Sequence, residues 1–413
     1  MWTSLPKFWN HRSPHSKKVQ TMETDKGSKD QSKPRDTYKA AYLIHFLLGA
    51  GNLLPWNSFI TAVDYFGFLY PTKHVEKVFS VAYMSSSLLC LILLLSCFNK
   101  TQKLGLRLRL NLGFSMFILS LMAPPVIDWC HWHGTNGAFT VTIASVVVCG
   151  FADALVAASL MGSAGELPKQ YMQGISAGYA SSGVLVSILR IITKASLPQS
   201  PQGLQTSAHL YFMVSTTILL GCIICGNILQ NLPVMQQHHK LQQANLPSSK
   251  PEFWNVAKRI KWPAFGVFII YIVTLSIFPG FIAENLKSEL LQDWYPILLI
   301  ATYNVADLVG RCLTAAYAVQ SIGKATFGSV ARLLFYPLFT AFLHGPTWLK
   351  SEVPMVSLTF VLGLTNGYLT TVLMILTPKS VPVEEAEIAA VVMVVFLGLG
   401  LVGGSILGWF WII

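Results

Sequence analysis

The stretch from Gly49 to Phe66 reads GAGNLLPWNSFITAVDYF and decides the fold class. Together with the apolar residues before it, this segment is long enough to cross a bilayer, although it contains two asparagines and an aspartate. Polar side chains at membrane depth are costly unless they face protein, water or a ligand. If the segment is an α-helix, one of its faces carries Leu53, Trp56, Asn57, Ile60, Thr61 and Asp64.

This face admits two interpretations. Pro55 removes one helical hydrogen bond and can bend the segment beside Trp56, so an aromatic ring and an amide would lie together at a bend. Such a surface suits a flat solute that forms hydrogen bonds. The alternative is a kinked helix whose polar face packs only against its neighbours. The segment alone leaves both interpretations open.

Composition identifies an all-α polytopic membrane protein. Of the 413 residues, 53% are hydrophobic and 11% are charged, whereas a soluble domain carries about 25% charged residues. The net charge of +11 resides mostly in a few loops, which fits the positive-inside rule better than nucleic-acid binding. The seven cysteines lie mostly in apolar runs and imply no disulfide framework. We expect no cofactor and no nucleic-acid partner.

The hydropathy pattern predicts eleven transmembrane helices in a 6+5 arrangement. A disordered, cytoplasmic tail is predicted over 1–38, an amino-terminal bundle over 39–231, a basic cytoplasmic linker over 232–261 and a carboxy-terminal bundle over 262–413. The expected spans are 39–66, 78–98, 108–128, 137–162, 169 to 190 or 194, 207–231, 262–283, 294–320, 325–344, 353–378 and 386–412. This count places the amino terminus in the cytoplasm and the carboxy terminus outside.

A second polar helix face occurs in the eighth predicted span, which contains YNVADLVGRCLTAA. Asn304, Asp307 and Arg311 share one face, and Asp307 and Arg311 are one turn apart. An arginine in hydrocarbon is tolerated when it is paired and faces a polar cavity. The pair could bind the hydroxyls of a sugar or the edge of a base, or it could only brace two helices.

One short motif resembles a metal site. Asp128, His131 and His133 form a DxxHxH cluster in a tryptophan-rich loop after the third span. We interpret this cluster as an ordinary interfacial loop and expect no metal, because no further ligand lies nearby in the sequence.

Four motifs in order resemble the equilibrative nucleoside transporters, the plant members above all. They are GNLLPWNSFITAVDYF, YNVADLVGR, GLTNGYLTTVLMILTPK at 363–379 and the acidic turn from Glu384 to Glu387. The resemblance runs from about residue 37 to the carboxy terminus. It implies a major-facilitator-like fold and alternating access for nucleosides, and for nucleobases in some members.

The resemblance also implies the solute contacts. They are Leu53, Trp56, Asn57 and Ile60 in the first span, Met84 in the second, and Asn304, Asp307 and Arg311 in the eighth. One position departs from the family pattern. The family usually has a glutamine before the SLxGxAGxLP-like stretch of the fourth span, where this chain has Ala157. The departure bears on substrate range and affinity rather than on the fold.

The expected function is therefore nucleoside transport, with proton symport as one hypothesis and passive exchange as the alternative. Asp64 and Asp153 are the candidates for proton coupling, because burial of a carboxylate favours its protonated form. An intramembrane enzyme is disfavoured by the lack of a catalytic motif, and a receptor by the two polar helices in separate halves. We expect a monomer in the plasma membrane, with the vacuolar or another internal membrane as the alternative.

Overall fold

The computed structural model describes residues 39–97, 104–236, 253–278, 280, 282, 288–344 and 351–410. These residues form α-helices joined by short turns. The predicted tail 1–38, most of the predicted linker and the sequence Asn99-Lys100-Thr101 lie outside the described residues.

The first half of the described chain contains seven helices. Three of its features reflect local sequence. Thr135 caps one helix by accepting a hydrogen bond from the Ala138 amide, and Ser200 with Pro201 starts another. Pro124 and Pro125 lie inside a helix, near its carboxy-terminal end. The helices are α1 (Ala40–Thr61), α2 (Val63–Leu69), α3 (Val75–Ser96), α4 (Leu106–Trp129), α5 (Asn136–Glu166), α6 (Lys169–Ser196) and α7 (Pro201–Leu229).

The second half contains seven more helices and two short 3₁₀ turns. The turns are Gln292–Trp294, before α10, and Arg332–Leu334, between α11 and α12. The helices are α8 (Phe253–Arg259), α9 (Lys261–Ile277), α10 (Tyr295–Ala316), α11 (Ile322–Ala331), α12 (Phe335–His344), α13 (Glu352–Lys379) and α14 (Val383–Phe410).

Nine helical segments of the described chain are long and apolar enough to cross a membrane, and ten if α8 and α9 count as one span bent by 74°. The segment Ile322–Phe342, made of α11 and α12, counts as one of the nine. Helix α1 is not among them, although its 22 residues extend over about 33 Å. The multispan class is confirmed, and the count of eleven remains a prediction.

The first predicted span is not one continuous helix. Helix α1 ends at Thr61, and α2 begins after Ala62. The single polar face expected from Leu53 to Asp64 therefore ends with α1, and Asp64 lies on a separate, short helix. This corrects the expectation for 39–66.

Close helix packing depends on glycine at several contacts. A Cβ on Gly178 of α6 would lie 2.0 Å from the Phe46 carbonyl oxygen of α1, and one on Gly367 of α13 would lie 2.1 Å from the Asp307 carbonyl oxygen of α10. Helices α1 and α6 therefore touch backbone to backbone, as do α10 and α13. Helices α6 and α10 also pack together and join the two predicted bundles. The residues from Asp36 onward form one compact unit.

Candidate functional site

Asp153 is the centre of a polar cluster in the first half. Its carboxylate accepts a hydrogen bond from Asn52 Nδ2 at 2.9 Å and another from Ser87 Oγ at 2.9 Å. These three residues lie on α5, α1 and α3, so the carboxylate joins three helices. Asn52 is buried, which explains why its amide needs a partner inside the protein.

Trp56 lies close to this cluster, but its ring does not form the open aromatic surface that the sequence predicted. Its ring stacks on Tyr83 of α3 with the ring centroids 4.2 Å apart and the planes 16° from parallel. Trp56 and the neighbouring Met84 are both buried. One face of the predicted aromatic surface is thus already covered by a protein ring, which holds the indole in a fixed orientation.

The remaining predicted residues of α1 are partly accessible, and one of them contacts α6. Leu53, Asn57 and Ile60 are half-buried. Asn57 donates a hydrogen bond to Ser182 Oγ of α6 at 2.9 Å.

Asp307 and Arg311 form the predicted pair in α10. Arg311 Nε donates to Asp307 Oδ2 at 2.9 Å, and both side chains are buried. The second carboxylate oxygen accepts from Asn366 Nδ2 of α13 at 2.7 Å. Both oxygens of Asp307 therefore have fixed partners, and Asn366 is a member of this set that the sequence reasoning missed. The amide lies in the GLTNGY motif, which was quoted but not assigned a role.

A second buried arginine extends the set. Arg332 donates to the Leu362 carbonyl at 3.0 Å and to Thr274 Oγ1 at 2.7 Å, and Thr274 in turn bonds Asn366 Oδ1 at 2.8 Å. Hydrogen bonds thus connect Arg332 to Asp307 through Thr274 and Asn366. The sequence alone could have indicated a role for Arg332, because it is the one arginine within the ninth predicted span and charged residues are costly at membrane depth.

Helices α6 and α10 bring the two halves together. Asn304 donates to the Gly183 carbonyl at 3.2 Å and to Ser187 Oγ at 2.8 Å. Tyr179 of α6 accepts a long hydrogen bond of 3.5 Å from Asn52. Helix α6 therefore contacts both the Asp153 cluster, through Tyr179, and α10, through the bonds to Asn304.

Gln173 of α6 is a further residue that sequence reasoning missed. It accepts from the Tyr42 hydroxyl at 2.8 Å and donates to the Arg311 carbonyl at 3.4 Å. Ala157, at the position where a glutamine was expected, is buried and supplies no polar group.

Asp64 lies apart from these sets. Its side chain is 46% exposed and pairs with Arg190 near the end of α6. The structure therefore separates the two predicted proton-coupling candidates and brings only Asp153 to the centre.

The DxxHxH residues belong to a different cluster. Asp128 accepts from the Tyr65 hydroxyl at 2.6 Å and from His209 Nε2 at 2.7 Å, so it joins α4, α2 and α7. Within the described part of the chain, no group of three histidine, cysteine or acidic side chains is placed to hold a metal ion. His133 approaches Asp128 only to 3.9 Å.

Comparison with known proteins assigns the family. The family model described as nucleoside transporter matches residues 143–258 and 247–413. Equilibrative nucleotide transporter 8 of Arabidopsis thaliana is 61% identical over 95% of this chain and 100% of its own length. Equilibrative nucleotide transporter 1 of the same plant is 48% identical over 92% of this chain and 88% of its own. The chain belongs to the equilibrative nucleoside transporter family. Membership makes it a transporter and not an enzyme.

Solved structures identify the fold of this equilibrative nucleoside transporter. The outward conformation of the major facilitator FucP aligns with a TM-score of 0.58 at 11% identity, over 90% of both chains. The proton:xylose symporter XylE aligns with a TM-score of 0.56 at 12% identity, over 91% of this chain and 89% of its own. At these identities the likeness shows the fold alone, which confirms the expected major-facilitator-like arrangement.

Proposed function

We propose that the protein carries nucleosides across a membrane by alternating access, with the solute held between the Asp153 cluster and the Asp307–Arg311 pair. The observation that carries this proposal is that α6 contacts a polar set from each half, because Tyr179 accepts from Asn52 and Gln173 donates to the Arg311 carbonyl. A solute bound there would contact both halves at once. Carriers of this architecture bind their solutes at such an interface between repeats.

The residue chemistry supports a division of roles. The fixed indole of Trp56 supplies an aromatic face of the kind on which a base stacks. Asp307 and Arg311 supply an acceptor and a donor fork for ribose hydroxyls. Leu53, Ile60 and Met84 supply apolar contacts, while Asn57 and Asn304 fix the position of α6 against α1 and α10. These roles belong to the proposal.

Charge favours a nucleoside over a nucleotide, although the two Arabidopsis relatives are named nucleotide transporters. The central polar sets contain Asp153 and Asp307 against Arg311 and Arg332, so their formal charges cancel. A neutral solute leaves this balance intact. A nucleotide would add at least one uncompensated negative charge to a site shielded from water, which is costly.

Uptake into proteoliposomes tests the proposal. Purified protein should take up labelled adenosine or uridine saturably, and excess unlabelled nucleoside should compete, whereas the corresponding monophosphate should compete weakly. Liposomes containing the Asp307→Asn variant are the matched control. Saturable uptake of the monophosphate with no nucleoside uptake would identify a nucleotide carrier instead. No uptake of either compound would contradict the proposed transport.

We propose that proton coupling resides on Asp153. Its hydrogen-bond partners are the neutral donors Asn52 and Ser87, whereas Asp307 is paired with Arg311 and Asp64 with Arg190. Among the described residues, Asp153 is thus the one of these three carboxylates that forms no salt bridge. Passive exchange is the alternative. In that case the hydrogen bonds of Asp153 only join α1, α3 and α5.

Topology, membrane and assembly complete the proposal. We retain a cytoplasmic amino terminus, an external carboxy terminus, the plasma membrane and a monomer, together with the two bundles 39–231 and 262–413. The basic residues at the end of the linker support this orientation.

A further inference from the structure

A groove lies on the outer surface of the second half, away from the proposed solute site. It has a volume of about 590 Å³ and lies between α9, α11 and the turn that follows α13. Its apolar part is formed by Trp262, Phe265, Phe327 and Val330, all of which are exposed. Because α9 and α11 belong to candidate spans, this surface faces the lipid phase.

The polar end of the groove is basic. Arg259 lines it, and Lys258 and Lys261 are its neighbours in sequence, while Lys324 projects from the first turn of α11. Arg259 pairs with Glu385 at 2.8 Å, but its side chain remains half exposed. Among the described residues, Arg259 is the one of these four cations that forms a salt bridge.

Two further features of the groove suit a phosphate ester. Thr326 lines it, and the Thr326 hydroxyl is a buried group that has no hydrogen-bond partner among the described residues. Ile322 and Gly323 also line it, so the first turn of α11, with its positive dipole end, opens into the groove.

Helix α8 marks the depth of the groove in the bilayer. It bends by 74° from α9, buries Val256 and exposes Trp254. A short helix with an exposed tryptophan and terminal cations is typical of the membrane–water interface. The basic end of the groove therefore lies at the level of lipid headgroups, and its aromatic part lies at the level of acyl chains.

We propose that this groove binds an anionic glycerophospholipid from the surrounding bilayer, with its phosphate near Arg259 and Thr326 and an acyl chain along Trp262 and Phe327. Basic pockets between helices on the cytoplasmic side recognise such headgroups. The neighbouring linker is a poorer occupant, because residues 237–250 carry lysines and histidines and no acid, and would be repelled by the basic end.

The test uses the full chain in detergent, with native mass spectrometry to count retained lipid. Phosphatidylglycerol should be retained in preference to phosphatidylcholine. Gly323→Leu should fill the groove at little structural cost, since the nearest atom to its Cβ is Ser321 Oγ at 3.9 Å. Gly221→Leu is the matched control, because no atom lies within 4 Å of its Cβ.

A second variant removes charge and keeps the groove. Replacing Lys258, Lys261 and Lys324 by glutamine leaves the Arg259–Glu385 pair and should lower phosphatidylglycerol affinity about tenfold or more, on a scale of ~1 kcal/mol per cation. Glutamine at Lys39 and Lys169 is the control. Equal retention of both lipids, or unchanged retention in Gly323→Leu, would overturn the proposal.

Glycerol phosphate separates the two sources of the headgroup. If this soluble compound binds as tightly as the lipid, the site is one for free phosphate esters and the lipid proposal fails. None of these measurements depends on nucleoside uptake. Failure of the lipid proposal can therefore be distinguished from failure of the proposed transport.

Discussion

At the scale of single residues, Trp56 is the sharpest test of solute contact. Stacking of a base on an aromatic ring contributes about 1–3 kcal/mol, so Trp56→Ala should raise the Michaelis constant for nucleoside uptake about tenfold or more. Trp56→Phe keeps a smaller ring against Tyr83 and should lose less. Trp132→Ala, at an exposed tryptophan, should change nothing. Wild-type affinity in a well-expressed Trp56→Ala protein would assign the indole to packing alone.

Arg332 provides the second test at this scale. Arg332→Met removes donors from the Leu362 carbonyl and Thr274, and a buried group left without its partner costs about 1–3 kcal/mol. We expect a lower melting temperature and, because Asn366 loses its support, a raised Michaelis constant. Arg332→Lys should restore part of both.

The two readouts for Arg332 separate its roles. A variant that melts earlier but transports with unchanged affinity would show that the arginine only braces α11 against α13. A variant with neither change would show that the hydrogen-bonded connection to Asp307 contributes neither to stability nor to solute affinity.

The residue scale also shows how far sequence reasoning reaches. Helical spacing predicted that Asp307 and Arg311 would pair, because both partners lie on one helix. It missed Asn366 and Thr274, because those contacts join residues 59 and 92 positions apart in sequence. Tyr83 was noted in the second span, but spacing along one helix gives no indication that a ring from another helix will cover Trp56.

At the scale of helices, the glycine contacts of α1 with α6 are the structural element most sensitive to change. Gly178→Ala would place a methyl group 2.0 Å from the Phe46 carbonyl, so the two helices must separate. Overpacking costs about 1–3 kcal/mol, and a clash with backbone should reach the upper end. We expect reduced folded yield and a lower melting temperature. Gly221→Ala, in open space, is the control, and equal stability of the two variants would contradict this packing.

Helix boundaries were predicted less well than helix positions, for physical reasons. Hydropathy located the apolar segments because the bilayer imposes a minimum length. It did not detect the break after Thr61. Tertiary packing decides whether a polar or proline-containing turn stays helical, and hydropathy carries no information about it.

At the scale of the whole molecule, one end of the two halves is joined by partly buried polar contacts. Lys379, at the end of α13, donates to the Gly165 carbonyl at 3.3 Å and to the Leu167 carbonyl, while Arg109 and Glu387 approach to 3.9 Å. Alternating access requires these contacts to break when this end opens.

Removing the lysine should therefore favour opening at this end. A cysteine introduced at Ala390, which is fully buried, should react several-fold faster with a maleimide in Lys379→Met than in the parent, since a charged hydrogen bond contributes about 1.5–3 kcal/mol. Lys169→Met is the control, and the native seven cysteines give the baseline. Unchanged reactivity would show that these contacts do not hold the end closed.

At the same scale, the proposed proton coupling depends on Asp153. If its carboxylate is protonated on the acidic side and released on the neutral side, uptake should rise as external pH falls and should drop with a protonophore. Asp153→Asn fixes the neutral form while keeping a polar group between Asn52 and Ser87, so uptake should persist without pH dependence. Asp64→Asn serves as the control, because that carboxylate pairs with Arg190 at the surface and its loss should leave the pH dependence intact. Uptake that is independent of pH, and that stops when the nucleoside concentrations on the two sides are equal, would instead identify a passive carrier. In such a carrier Asp153 serves to join α1, α3 and α5.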